Sequence, residues 1–259
     1  MVRKNKKLIL LFIVLLALSV FFFWAKEQYV APILMYHNID NNAHISRLSV
    51  TPYSFQRQMA FLKRHGYNVV SLPELADLVK KKKIPYKTVS ITFDDGYENN
   101  YKNAYPVLKK YGIKATIFIT PFNIGKEGYL TWEQVKEMAE SDVIDIGSHS
   151  MNHAFLPNIP EEDLDVEIGG SKKLIEEHIN RAVDSFSYPV GGFHEKSRAM
   201  VRDAGYKIAM TTNPGKKYPK HDIFAMKRQR ISATSDNLLV FWIESSGFYT
   251  WIKEHRDDD

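Results

Sequence analysis

Two hydrophobic rhythms alternate along the chain. Short apolar or β-branched runs at 31–37, 68–71, 87–93 and 114–119 are separated by stretches whose apolar residues recur every three or four positions. The first helical stretch opens at Thr51-Pro52, an N-cap followed by proline at N1. It carries Phe55, Met59, Phe61 and Leu62, and stops at His65-Gly66. Further helices are predicted over 73–82 and about 99–111, the latter ending at Gly112, and a capping box at Thr131-Trp132-Glu133-Gln134 opens another. A strand at 143–147, a helix at about 161–179, a strand at 185–188, a helix at 195–204 and strands at 208–211 and 224–231 follow. A helical tail through Leu238, Phe241 and Trp251 closes the pattern. Seven or eight such units predict an α/β protein, a distorted (β/α) barrel, with an open doubly wound sheet as the alternative. In both architectures chemistry gathers at the carboxyl ends of the strands.

One stretch breaks both rhythms. Residues 8–25 are apolar but for Ser19, and at about 1.5 Å per residue they reach roughly 27 Å, enough to cross a hydrocarbon core. Arg3, Lys4, Lys6 and Lys7 precede the run, making 1–7 a basic cytoplasmic stub, 8–25 a single-pass membrane anchor and 31–259 an extracellular domain. Cleavage and secretion after the weak site Ala17-Leu18-Ser19 is the alternative, but Phe21-Phe22-Phe23-Trp24 reads better as an interfacial aromatic anchor.

Charge changes the picture only by its location. The formal net charge is +5, from 35 basic and 30 acidic residues; setting aside the four basic residues of the stub leaves 31 against 30. A nucleic-acid-binding surface therefore has no compositional support. The run at 80–83 (Lys-Lys-Lys-Lys) complements a helix dipole and reads as a solvated end. With no cysteine there is neither a lipoprotein attachment site nor a disulfide framework.

Candidate chemistry lies at two strand ends. The run Val89, Ile91, Phe93 delivers Asp94 and Asp95 to a Gly96 loop. Asp-Gly is also a hairpin signal, but the helical pattern from Tyr101 to Leu108 leaves no strand to pair back. After the strand at 143–147 come His149 and His153, which at a spacing of four can point at one metal. Two imidazoles and a carboxylate, with positions left to water, form the ligand set of a catalytic Zn²⁺ or of a facially held divalent transition metal.

Thr92-Phe93-Asp94-Asp95-Gly96 and His149-Ser150-Met151-Asn152-His153 resemble the first two signature motifs of the polysaccharide deacetylases, over roughly residues 31–231. That resemblance implies a metal-dependent carbohydrate esterase on a distorted (β/α) barrel, with one divalent ion (Zn first, then Co, Ni or Fe) on Asp95, His149 and His153, and Asp94 as general base. The third motif, usually Arg-x-Pro-Tyr-Gly, reads here Ser187-Tyr188-Pro189-Val190-Gly191. Ser187 replaces the arginine, and Tyr188, Pro189 and the backbone N–H of Val190 are the oxyanion or substrate candidates. Arg230 is the candidate for the missing arginine beside Asp94. No histidine follows near 226–231, whereas Met35-Tyr36-His37-Asn38-Ile39 resembles the permuted branch that deacetylates biofilm poly-N-acetylglucosamine, making His37 the candidate acid. Peptidoglycan and chitooligosaccharides are the alternative substrates. Tyr97, Phe122, Tyr129 and Phe193 are candidate sugar contacts, and His44, His65, His178, His194, His221 and His255 are read as surface residues.

The chemistry implied is attack by activated water on an acetamide, with Asp94 taking the proton and His37 protonating the departing nitrogen. A phosphoesterase would want a second metal and basic phosphate clamps, for which no clear set is present. A non-catalytic sugar-binding module would need neither base nor acid.

Overall fold

The computed structural model describes residues 2–41, 48–212 and 222–249, with side chains described at 10–24 in the first helix and from 29 onward. Trp251, His44, His221 and His255 lie outside the described residues. In chain order the strands are β1 (Ile33–Tyr36), β2 (Asn38–Ile39), β3 (Ser49–Val50), β4 (Asn68–Val69), β5 (Thr88–Phe93), β6 (Ala115–Ile119), β7 (Ile144–Ser148), β8 (Ser185–Ser187), β9 (Ile208–Met210) and β10 (Gln229–Arg230). The α-helices are α1 (Val2–Gln28), α2 (Pro52–Arg64), α3 (Leu72–Lys80), α4 (Tyr105–Tyr111), α5 (Trp132–Glu140), α6 (Ser171–Ile179), α7 (Glu195–Asp203) and α8 (Leu238–Glu244).

Seven parallel strands curl into a half-barrel in the order β10-β1-β5-β6-β7-β8-β9, with β4 added against the start of β5. Met226, three residues before β10, bridges Met210 of β9, so the chain that ends the sheet on one side also touches its other edge. β1 lies between the last strand and β5, Met35 opposite Arg230 of β10 and Tyr36 opposite Phe93 of β5. β5 and β6 are buried along their whole length, as parallel strands covered on both faces must be. Inside, the rings of Tyr36, Phe55 and Phe93 pack at 5.3 to 5.7 Å between centroids. The buried Tyr36 hydroxyl donates to Gln58 Oε1 (2.8 Å), and Gln58 Nε2 donates to the Ser235 carbonyl (3.0 Å).

The departures from the sequence pattern have local causes. The stretch 99–111 begins as a π turn, Asn100–Ala104, before α4, because Pro106 has no N–H to donate in an α ladder. The stretch 161–179 splits into a 3₁₀ turn (Glu161–Asp163), a π turn (Val166–Gly170) containing Gly169-Gly170, and α6. Ser71 leaves the sheet to form the capping box of α3 with Glu74. The strand expected over 224–231 shrinks to β10, since Asp222 Oδ1 accepts the Phe224 N–H and its carbonyl accepts that of Ala225, a local turn. The expected anchor at 8–25 falls within α1, whose described apolar side chains are exposed; among the described residues no helix is long and apolar enough to cross a membrane.

Candidate active site

The ends of β5 and β7 build the site. The Asp94 N–H still donates to the Tyr36 carbonyl (3.0 Å), so its side chain stays inside the curl, 3% exposed. Asp95 then turns left-handed at φ 75° and Gly96 follows at φ 73°, where a Cβ would press on Ile119 Cγ2 at 3.2 Å. This reversal sends the adjacent carboxylates different ways. Beyond β7 the His149 N–H donates to the Ile119 carbonyl (2.8 Å), and Ser150 and His153 both adopt positive φ (62° and 57°). A second and third left-handed residue bend the loop back, so His153 returns to Asp95. Its Nε2 lies 3.3 Å from Asp95 Oδ1, and His149 Nε2 lies 3.6 Å from the same oxygen.

One ligand atom from each of Asp95, His149 and His153 falls within 4.8 Å of the others. His149 Nδ1–H donates to the Ser187 carbonyl (2.7 Å), which fixes the tautomer and leaves Nε2 as a free donor pair directed at the cluster. Burial pushes the His149 imidazole below its ordinary pKa, against the pull of Asp94 and Asp95, and so keeps it neutral, as a ligand must be. His153 is pushed up, chiefly by its hydrogen bond to Asp95. These residues fit a single N₂O-ligated divalent ion.

The loop between the histidines is itself held by a residue with no signal in the sequence. Buried Glu167, on the π turn before α6, accepts the Asn152 N–H (3.1 Å) and Asn152 Nδ2 (2.7 Å), and its carbonyl accepts the Met151 N–H (3.1 Å). π turns inside helices often mark functional positions.

Asp94 is clamped by an arginine, and that arginine is Arg228. Its Nη1 and Nη2 donate to Asp94 Oδ1 and Oδ2, each at 2.6 Å, in a fork on a buried carboxylate. Nη2 also reaches Ser187 Oγ (2.9 Å), and the guanidinium passes 5.6 Å from the Phe118 ring centroid. Ser187 thus stands where the usual motif has arginine, and makes room for a guanidinium arriving from the residue just before β10. Arg230, expected in this role, is exposed at the end of β10 instead. Burial pushes the Asp94 carboxyl up, but the Arg228 charge and its hydrogen bonds outweigh it and hold it well below the usual carboxylate range.

His37 follows β1 beside Asp94, close enough to help lower both Asp94 and Asp95. Its carbonyl accepts Asn100 Nδ2 (2.7 Å), while its buried Nδ1 has no hydrogen-bond partner among the described residues. Of the third motif, Val190 projects from the surface, 70% exposed at φ 56°. The Tyr188 ring is fully buried, its N–H donates to the Met210 carbonyl and its hydroxyl donates to the Phe224 carbonyl (3.1 Å). Pro189 is buried as well. Gly191 is obligatory, since a Cβ there would lie 2.2 Å from Thr212 Oγ1. Tyr97 and Tyr129 stack at 5.3 Å, Phe122 is 61% exposed under Lys126, and Phe193 packs on Tyr188. His65 and His178 are exposed, and His194 is a helix cap whose Nδ1 accepts the Ser197 N–H (2.9 Å).

The geometry has counterparts among known proteins. Residues 81–209 match the family model described as polysaccharide deacetylase. The Bacillus subtilis (strain 168) protein YxkH, named as a polysaccharide deacetylase, is 39% identical over 226 residues, covering 86% of this chain and 80% of that protein. A Staphylococcus aureus poly-beta-1,6-N-acetyl-D-glucosamine N-deacetylase is 26% identical over 216 residues, covering 78% and 74%. The structure of the Streptococcus pyogenes deacetylase PplD in complex with acetate superposes with a TM-score of 0.73 at 29% identity, covering 82% of this chain and 99% of that one. The chain belongs to the polysaccharide deacetylase family, carbohydrate esterases acting on N-acetyl groups.

Proposed function

We propose that this protein removes N-acetyl groups from an extracellular N-acetylglucosamine polymer, poly-β-1,6-linked N-acetylglucosamine first among them, releasing acetate. The observation that carries the reading is a three-ligand cluster with a separate, clamped carboxylate beside it and an imidazole from the neighbouring strand. The N-deacetylase of Staphylococcus aureus supports the choice of polymer; peptidoglycan and chitooligosaccharides are the competing substrates.

Asp95, His149 and His153 would hold the divalent ion, Zn²⁺ by donor chemistry with Co²⁺, Ni²⁺ or Fe²⁺ as substitutes; such an ion supplies Lewis acidity and an acidified water. Asp94 accepts the proton of the attacking water. Held ionised by Arg228, it is a base whose orientation is fixed by two hydrogen bonds. The Val190 N–H, on the exposed left-handed turn after β8, would meet the developing oxyanion. His37, at the end of β1 beside Asp94, protonates the departing nitrogen. Residues 8–25 anchor the protein in the cell membrane with the domain outside, or are removed on secretion.

The test is acetate and free amine measured together on poly-β-1,6-N-acetylglucosamine, peptidoglycan and chitin oligomers, with phosphate release from phosphoesters alongside. Acetate and amine in equal amounts on the first polymer support the reading. Phosphate release without acetate, or glycan binding without any product, overturns it.

A further inference from the structure

Backbone strain in this molecule is concentrated. Of the non-glycine residues at positive φ, Asp95, Ser150, His153 and Val190 belong to the candidate active site, and Asn180 caps α6. Among the described residues two are left, Lys82 and Lys87, both at the amino-terminal end of β5, opposite the site. Lys87 has a structural occupation, donating to the His65 carbonyl (2.8 Å) that ends α2. Lys82 has none. It sits at φ 52° in the turn that closes α3, where its N–H donates to Val79 (3.0 Å) and that of Lys83 to Leu78 (3.1 Å), a position at which glycine is the usual residue. Among the described residues, the ammonium groups of Lys80, Lys81, Lys82 and Lys83 form no hydrogen bond or ion pair, and all four are exposed.

Next to this rim is an aromatic surface. Tyr86, 66% exposed, packs 5.6 Å from the Tyr29 ring, which meets Phe248 edge-on at 5.9 Å. Tyr29 is pinned by its hydroxyl on the Thr88 carbonyl (3.1 Å) and by the Val30 N–H on the Gly247 carbonyl (3.0 Å). Gly247 is needed there, since a Cβ would lie 2.3 Å from the Tyr29 ring. Helix α1 ends at Gln28 and Val30 is already buried in the domain, so no linker separates the apolar segment from this face. Tyrosine beside a lysine cluster at the end of an apolar helix is the composition of a headgroup-level contact.

We infer that the amino-terminal rim of the half-barrel, Lys80–Lys83 with Tyr86, docks on an anionic lipid surface, holding the domain with Asp94 and His149 turned away from the bilayer toward the polymer. The orientation rests on the reading of 8–25 as an anchor; the affinity of the rim for anionic lipid does not.

The chain has no cysteine, so one reporter can be placed cleanly. The full-length protein carries a dansyl label at Lys81→Cys on the rim, or at Glu127→Cys beyond β6 as control, in vesicles of phosphatidylcholine with or without phosphatidylglycerol and with nitroxide-headgroup lipid as quencher. Quenching is expected at 81 and not at 127, only with phosphatidylglycerol. It should fall with K80Q/K82Q/K83Q, by about fivefold in the docked ratio per lysine, and in about 0.5 M NaCl. Equal quenching at 81 and 127, or quenching at 81 that survives loss of the lysines, overturns the docking face. Co-sedimentation with vesicles in high salt reads the anchor separately: release there would refute the anchor while leaving the lysine dependence to decide the rim.

Discussion

Arg228→Met removes the fork from a carboxylate that has nowhere else to go. In the pair the side chains are 0% and 4% exposed, so the charge left on Asp94 would be desolvated and unpaired. Breaking a buried pair on one side destabilises by roughly 3–5 kcal/mol. Against a typical 5–15 kcal/mol for a domain, the fold survives, with a Tm lowered by about 6–20 °C. The pH dependence carries the sharper test. In the native protein the Asp94 pKa is depressed, so its stabilising share is complete above the unfolded carboxylate value of about 3.9 and is lost only below it. In the variant, burial acts without Arg228 and raises the pKa; the folded state then binds a proton more tightly than the unfolded chain, and stability grows as pH falls. Thermal unfolding of chelated protein from pH 8 to pH 5 should therefore show the gap between native and variant narrowing toward acid. Asp94→Asn/Arg228→Met should lie closer to the native protein than Arg228→Met alone, since no charge is then stranded. A single variant within about 1 kcal/mol of native, with a gap independent of pH, would refute the clamp. On an N-acetyl substrate the variant should be nearly inactive at neutral pH, because a protonated Asp94 cannot take water's proton.

His37→Ala should keep metal and fold while losing on the order of 10² to 10⁴ in kcat on an N-acetyl substrate, and much less on an aryl acetate, whose leaving group hardly needs protonation; equal losses on both would reassign His37 to water activation or structure. Glu167→Gln should weaken metal about 10- to 100-fold by calorimetry through a looser Asn152 loop, with activity recovered at saturating metal, and unchanged affinity would show that the loop holds itself. His153→Ala should lose the one equivalent of metal that the native protein is expected to carry; full retention would remove His153 from the ligand set.

What the sequence disclosed and what it withheld follow from distance along the chain. Asp94, Asp95, His149 and His153 were readable because each pair ends a strand in its own few residues, and the curl of a parallel sheet brings such ends together. The partner of Asp94 was not. Arg228 and Arg230 have the same parity in a strand, so period-two patterning cannot choose between them. The choice is made by a two-residue β10 and by the reach of a long side chain past Phe118. The depth of Tyr188 is hidden for a related reason: its position in the third motif says nothing of its burial, and the ring packs in the core with Phe186 and Phe193. Glu167 lies on a π turn, and a helical pattern read at 3.6 residues per turn gives no warning of one.

The division of labour between the adjacent aspartates is the centre of this account, and one pair of variants measures it. Asp94→Asn and Asp95→Asn are purified alongside the native protein, and bound metal and acetate release are determined on the same samples. Asp94→Asn should retain about one equivalent of metal and lose nearly all acetate release, whereas Asp95→Asn should lose the metal itself and recover part of its activity when metal is supplied in excess. Equal loss of metal in both variants, or acetate release undiminished in Asp94→Asn, would contradict it.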